Sequence, residues 1–372
     1  MNEHTPYPVR RVIEVPSGKL KTPLFMPDAT YGFVRSIDSE DLATCRIQAV
    51  VMNAFHLMQS PGTSVIKSLG GLHAFSGWNH PIVTDSGGFQ VYSLINRNPN
   101  LGSISSRGVR FKREGSTRKF LLTPEKSIQL QLNYGSDITI CLDYCTHVNE
   151  SMPRQQESVE KTIQWAERSK KEFIKRTDNL VGVRPLLFAV IQGGDSHKLR
   201  RKCAEALLDI GFDGYAYGGY PLDDRGKLLF DMLGYTRKLI PHKYPMIALG
   251  VGEPSSIVRC TRAGYDMFDS SLPTRDARQG RLYTLEEGHS FRDVGNERSY
   301  HYNYIQDEKH VKCGDPISPL CDCPVCTNYN LAYLHHLHKR EDSLYRRLAT
   351  IHNLRFMTLL LEHLRENIDE GG

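Results

Sequence analysis

The sequence predicts an α/β fold: a (β/α)8 TIM barrel with a subdomain inserted near the C-terminus around a cysteine cluster. Three observations predict it. Short runs rich in Val, Ile, Leu, Phe and Met recur eight times, each closing on a polar residue or glycine before helix-like sequence begins. The apolar pattern lapses after about Thr284, and three closely spaced cysteines then precede two helical segments.

Taken in order, the runs are Leu24 to Pro27 closing on Asp28, Ala49 to Met52 on Asn53, Ile82 to Thr84 on Asp85, and Ile138 to Leu142 on Asp143. Next come Leu186 to Ile191 closing on Gln192, Gly214 to Tyr217 on Gly218, Met246 to Leu249 on Gly250, and Met267 to Phe268 on Asp269. Helix punctuation separates them. Thr123-Pro124-Glu125 supplies an N-cap, a first-turn proline and a first-turn acid, with Gly135 at the C-cap. After Asp195, Leu199, Cys203, Leu207 and Ile210 share one helical stripe that Gly211 stops.

Continuously apolar strands alternating with helices imply a parallel sheet buried on both faces, and eight such strands close a barrel. A doubly wound open sheet is the rival topology. Either way, ligands sit beyond the carboxyl ends of the strands, so the closing residues become the candidate site.

At 372 residues the chain suffices for one large barrel or two ordinary domains. The reading divides it into a catalytic barrel over 1–284, a metal-binding subdomain over 285–353 with 286–313 as loop, and a C-terminal helix over 354–372 packing back on the barrel. No stretch approaches the roughly 18 apolar residues of a membrane span, and the start MNEHTPYPVRR lacks a secretory apolar run, so the expectation is a soluble cytoplasmic protein. A net charge of +5 only mildly favours a polyanionic partner. Six of the nine cysteines (Cys45, Cys141, Cys145, Cys203, Cys260, Cys313) are widely scattered, which argues against a disulfide framework.

The other three form Cys321-x-Cys323-x-x-Cys326, a set of soft thiolates suited to tetrahedral Zn2+ in a closed, structural site. Spacing leaves the fourth ligand open among His335, His336, His338 and His352.

Asp85, Asp143 and Asp269 each close a strand, and each alone reads as a helix cap as readily as a catalytic group. Together they converge at one barrel end with Gln192 and the Gly218-Gly219 backbone. Paired carboxylates serve glycosidic-bond exchange, one attacking the anomeric carbon while the other moves a proton. A third carboxylate, an amide and backbone N–H groups suit the edge of a purine.

At this point the chain resembles the tRNA-guanine transglycosylase family, also called queuine or preQ1 tRNA-ribosyltransferases, of bacterial type. The resemblance covers essentially the whole sequence. It rests on Thr84-Asp85-Ser86-Gly87-Gly88-Phe89-Gln90, Gly211-Phe212-Asp213-Gly214-Tyr215-Ala216 with Gly218-Gly219, Met267-Phe268-Asp269 with Leu272-Pro273-Thr274-Arg275, and the cysteine motif, all in the family's order. It implies a (β/α)8 barrel and a pentosyltransferase of queuosine biosynthesis. Such an enzyme exchanges the wobble guanine of tRNA with a GUN anticodon for a 7-deazaguanine base, preQ1 or queuine, through a covalent enzyme–tRNA intermediate.

Carried over by position, the resemblance implies Asp269 as nucleophile and Asp85 as general acid/base. Asp143, Gln192 and Gly219 would read the base edge, Phe89 and Leu249 its two faces, and Ser86 the same cage. Arg275 and Arg278 would hold RNA. Lys339, Arg340, Arg346 and Arg347 would add to them or form a solvated helix face. The family assigns Cys321, Cys323, Cys326 and His352 to one structural Zn2+ per subunit, and Tyr329, Tyr333 and His336 to a homodimer interface, although aromatics at that spacing also suit an intramolecular core.

The sequence departs from the usual bacterial pattern at Asp143-Tyr144-Cys145, at Gly218-Gly219-Tyr220-Pro221-Leu222-Asp223-Asp224, and at Phe89, which stands where a tyrosine is usual. These departures bear on the C7 substituent of the incoming base. Two rival readings are a non-catalytic tRNA-binding subunit, disfavoured by the presence of both Asp85 and Asp269, and a carbohydrate-active barrel, which leaves Gln192, Gly219 and the cysteine motif unexplained.

Overall fold

The computed structural model describes residues 11–112, 119–295 and 299–370. Its centre is a parallel barrel of β1 (Leu24–Pro27), β2 (Val50–Asn53), β3 (Ile82–Asp85), β4 (Ile138–Ile140), β5 (Leu186–Ile191), β6 (Gly214–Tyr217), β7 (Met246–Leu249) and β8 (Met267–Ser270). From β2 to β8 each strand pairs with the next, and β8 pairs with β1 from Met267 opposite Leu24 to Ser270 opposite Pro27. The last seam, between β1 and β2, closes on one parallel bridge of Asp28 with Val51, where the Ala29 N–H donates to the Val51 carbonyl at 2.7 Å. The closed barrel therefore prevails over the open sheet.

Alternation along the strands sorts the core into two layers. Leu24, Met26, Val51, Val83, Ile138, Ile140, Phe188, Val190, Ala216, Ile247 and Met267 fill the barrel, with Ile13, Val15 and Leu20 of an antiparallel hairpin in the same cluster. Their neighbours Phe25, Val50, Met52, Ile82, Leu187, Ala189, Tyr215, Met246 and Phe268 belong to the larger cluster that also includes the helices. Gly214 is explained by this packing: a Cβ there would lie 2.4 Å from Cζ of Phe188, so the absent side chain makes room for the ring.

All eight runs fold as strands, with small shifts at the edges. The fourth ends at Ile140 rather than Leu142. The Cys141 N–H still donates to the Phe188 carbonyl at 2.9 Å, after which the chain leaves the sheet toward Asp143. The punctuation acts as read: Thr123 caps helix Pro124–Asn133, Ser196 caps helix His197–Ile210, and Gly211 follows that helix at φ +78°.

One expectation is corrected. Residues 286–313 are not all loop, because Tyr300–Tyr304 forms a strand antiparallel to Arg281–Leu285. Its sequence YHYNY looks polar by composition, yet Tyr300 and Tyr302 pack against the core near Tyr283 and Phe356. Position 284 thus lies inside a paired strand, and position 353 inside the continuous helix Ser343–Glu370. That helix packs on Leu272–Arg278 and on β1. The sequence reading also did not include the N-terminal hairpin or the three-stranded sheet Gly102–Ser105, Gly108–Lys112 and Lys119–Leu122. Among the described residues no helix is long and apolar enough to cross a membrane, and all nine cysteines are free.

Candidate active site

Four neighbouring strand ends, β8, β1, β2 and β3, carry Asp269, Asp28, Asn53 and Asp85 around one arc of the barrel mouth. Asn53 Nδ2 donates to Asp85 Oδ2 at 2.7 Å, and the Gly87 N–H donates to Oδ1 at 3.2 Å. Gly87 makes this turn at φ +81°, where a Cβ would fall 2.5 Å from Cβ of Phe55. Asp269 Oδ1 accepts the Gly250 N–H at 3.1 Å, from the end of β7. Neither aspartate caps a helix: the helices that follow are capped by Gly87 and Ser271.

The surrounding protein pushes Asp85 up to about 8, chiefly through burial and then through the negative charge of Asp269 and, more weakly, Asp28. Asp269 rises to about 7, again through burial, with the Gly250 N–H opposing and the charge of Asp28 adding to the rise. Both carboxyls are thus pushed toward neutral pH, where the pair can hold and release protons as a unit.

Beside this arc, Asp143 and Gln192 form a buried polar floor. Gln192 Nε2 donates to Asp143 Oδ2 at 2.6 Å, and Ser86 Oγ donates to Oδ1 at 3.5 Å. Burial lifts Asp143 to about 6 against the Gln192 hydrogen bond. Glycines permit the close approach: a Cβ on Gly88 would lie 2.6 Å from the Asp143 carbonyl oxygen, and one on Gly218 would lie 2.6 Å from Gln192 Nε2. Gly219, at φ +88°, lies over the same amide, and Leu249 pairs in register with Asp269.

Phe89 is 43% exposed, and its ring centroid lies 5.2 Å from that of Tyr220, which in turn lies 4.8 Å from His147. Asp224 ties the same loop down, pairing with His147 at 3.5 Å and accepting from Asn149. The departures at Phe89 and residues 219–224 therefore come together in one wall.

Arg275 and Arg278 lie on helix Leu272–Arg278, just past Asp269. Nη1 of Arg278 is buried and has no hydrogen-bond partner among the described residues. Burial and the charges of Arg35, Arg275 and Arg346 hold Arg278 below its usual value, with Asp28 opposing. Of the second basic group, Arg347 is engaged by Asp41 at 2.8 Å and Lys339 by Glu308 at 2.7 Å, as on a solvated face, whereas the charge of Arg346 acts weakly on Arg278.

The ligand atoms of Cys321, Cys323, Cys326 and His352 all lie within 4.8 Å of one another, a group able to hold a metal ion. His352 Nδ1 lies 3.3 Å from Cys326 Sγ and 3.6 Å from Cys323 Sγ, near the roughly 3.6 Å that a tetrahedral zinc imposes between sulfur and nitrogen. His352 Nε2 faces the Tyr283 carbonyl at 2.7 Å, a partner that fixes the ring with Nδ1 toward the thiolates. His335 instead meets the Ile305 carbonyl through Nδ1 at 2.7 Å, away from the cluster.

The family model described as queuine tRNA-ribosyltransferase matches residues 10–372. The chain belongs to this family. It is 38% identical over 361 residues to the queuine tRNA-ribosyltransferase of Psychrobacter sp. (strain PRwf-1), covering 97% of this chain and 90% of that one. The protein of that name from Actinobacillus pleuropneumoniae serotype 3 (strain JL03) is 40% identical over 351 residues, covering 94% and 86%. That from Halothermothrix orenii is 38% identical over 360 residues, covering 97% and 90%. Membership makes the chain a glycosyltransferase of the pentosyltransferase type.

Sequence reasoning named Asp28 and Asn53 only as strand ends, yet both enter the arc through contacts with Asp85 or its field. Arg35 was not singled out at all. The signal for all three is spatial: β1 and β2 lie between β8 and β3 in the closed barrel, an adjacency that chain order does not display.

Proposed function

We propose that the protein is a tRNA-guanine transglycosylase that replaces the wobble guanine of GUN-anticodon tRNA with a 7-deazaguanine. The observation that carries this reading is the pair Asp85 and Asp269 at one barrel mouth, both raised toward neutral pH by burial, beside the Asp143–Gln192 floor. A carboxylate of Asp269 attacks C1′ of the ribose as the bond to guanine breaks, and Asp85 gives its proton to the departing base. The incoming base then loses a proton to Asp85 while its nitrogen displaces Asp269, so configuration at C1′ is retained. No further reactant is consumed.

Asp143 accepts from N1 and the 2-amino group. Gln192 uses one amide hydrogen on Asp143, and its second, with the Gly219 N–H, serves O6. Phe89 and Leu249 cover the base faces, and Ser86 supports Asp143. The Phe89–Tyr220–His147 wall with Asp224 borders the C7 substituent, and its departures from the usual pattern favour queuine over preQ1.

Zinc is the metal proposed for the cysteine–histidine group, because three thiolates and one imidazole suit that soft-to-borderline ion and leave no open position. When bound it ties the Cys321 loop to helix Ser343–Glu370, which packs on the arginine-bearing helix Leu272–Arg278. Arg275 and Arg278 hold the RNA backbone. Tyr329 and Tyr333 stack at 5.3 Å and, like His336, are exposed rather than core, which supports their proposed place in a homodimer interface.

The test is incubation with unmodified GUN-anticodon tRNA and equal preQ1 and queuine, followed by mass spectrometry of the wobble nucleoside. Queuine insertion is expected. Insertion of preQ1 alone would overturn the C7 assignment, and insertion of neither would overturn the enzymatic reading.

A further inference from the structure

The β1 end carries a carboxylate with no role in the chemistry above. Asp28 follows Pro27, which pairs with Ser270 beside the nucleophile, and bridges to Val51 on the strand that carries Asn53. It is half-buried, and its Oδ1 is fixed by the Thr30 N–H at 3.0 Å and by the Thr30 hydroxyl. Among the described residues its Oδ2 takes no hydrogen bond. Asp28 also acts in several directions at once: its charge is felt by Asp85 and Asp269 on one side and by Arg278 and His56 on others. Its strand end adjoins β8, which carries Asp269 and runs on into helix Leu272–Arg278, so Asp28 borders the interval from the carboxylate pair to the arginines.

That interval has a chemical identity, given the transglycosylase reading on which this inference rests. The carboxylate pair acts at C1′ and the arginines hold phosphate, and what joins C1′ to phosphate is the ribose of the target nucleotide. We infer that Asp28 Oδ2 accepts a hydrogen bond from the 2′-hydroxyl of that ribose, making it the residue by which the enzyme requires RNA at the target position. The hydroxyl is the group that separates RNA from DNA. A carboxylate accepting from the hydroxyl next to the reacting carbon also favours the cationic character that develops there, and such bonds tighten in the transition state of glycosyl transfer.

The experiment uses the full-length enzyme and two anticodon stem-loops that differ only in a ribose or a 2′-deoxyribose at the target guanine. Base-exchange kcat/KM is measured at each enzyme's own pH optimum for wild type, Asp28→Ala and Asp28→Asn. Wild type is expected to lose about 10- to 100-fold on removal of the hydroxyl, the range for a hydrogen bond to a charged group. Asp28→Ala should show a ribo-to-deoxy ratio near one, with Asp28→Asn between the two. Because each ratio is taken within one enzyme, a reduced folded fraction cancels. An equal ratio in wild type and Asp28→Ala would overturn the assignment. Failure of wild type to turn over the ribose-containing loop would instead overturn the transglycosylase reading, and this inference with it.

Discussion

The barrel carries aspartates at both of its ends, and their surroundings differ in kind. At the amino-terminal end Asp137, Asp213 and Asp266 precede β4, β6 and β8, and each accepts a backbone N–H from a neighbouring strand and faces a basic side chain, His73, Arg184 or Arg11. Asp137 is fully buried and accepts the Ser17 N–H at 2.7 Å and the Ile82 N–H at 2.8 Å. Asp213 takes the Leu187 N–H at 2.9 Å and both guanidinium nitrogens of Arg184, which outweigh burial and hold its carboxyl below the usual range. Asp266 pairs with Arg11 and the Met246 N–H, although burial still leaves it raised. At the carboxyl-terminal end Asp28, Asp85 and Asp269 also accept hydrogen bonds, but among the described residues none has an ion-pair partner, and burial with neighbouring negative charge pushes the last two up toward neutral pH. The same residue type ties strands together at one end and is left available at the other, the division expected of a barrel whose loops bear the chemistry.

Substitutions at the two ends should therefore separate activity from stability. Asp269→Asn should lower kcat by about 10^4-fold or more, and Asp85→Asn by about 10^2- to 10^4-fold, with melting temperatures at or above wild type. Steady-state base exchange and differential scanning calorimetry measure the two effects. A melting temperature reduced in step with activity would erase the contrast.

Asp137→Ala should do the opposite. Two backbone N–H groups lose their acceptor at about 1–3 kcal/mol each, so urea unfolding should report a loss of roughly 2–6 kcal/mol while kcat per folded molecule persists.

The pH profile sharpens the comparison further. Asp269 must be ionised to attack, so kcat/KM should fall as pH drops through about 7. Asp85 must be protonated to act as acid, so kcat/KM should fall again as pH rises through about 8. The charge of Asp28 raises both groups, so Asp28→Asn should move both limbs toward lower pH. Unmoved limbs would remove Asp28 from the arc.

The smallest effect is expected outside the carboxylates. Arg278→Ala should reduce the slope of log affinity for the stem-loop against log salt by about 0.7, the value for one single-strand phosphate contact.

Much of this was legible in the sequence because buried parallel strands are nearly continuous apolar runs, and a run that stops on Asp85, Asp143, Gln192 or Asp269 marks its own carboxyl end. The metal group was legible to three ligands, since Cys321, Cys323 and Cys326 are local. His352 is remote in sequence, and spacing alone could not prefer it to His335. The strand Tyr300–Tyr304 was hidden because tyrosine alternation reads as polar, and the hairpin Val12–Val15 with Gly18–Lys21 because charged residues interrupt its apolar positions. Asp28 was visible as a strand end but not as a member of the reaction centre. That membership exists only once β8, β1, β2 and β3 lie side by side, and sequence order separates Asp28 from Asp269 by nearly the whole barrel.

The central claim is that Asp269 forms a covalent bond to the RNA while the rest of the mouth serves it. Wild type and Asp269→Asn are incubated with the ribose-containing stem-loop, denatured, and examined by intact mass for a protein–RNA adduct, with RNA binding measured in parallel. The account predicts an adduct in wild type and none in Asp269→Asn, which should still bind RNA to within a few-fold. An undiminished adduct in Asp269→Asn, or none in wild type, would contradict it.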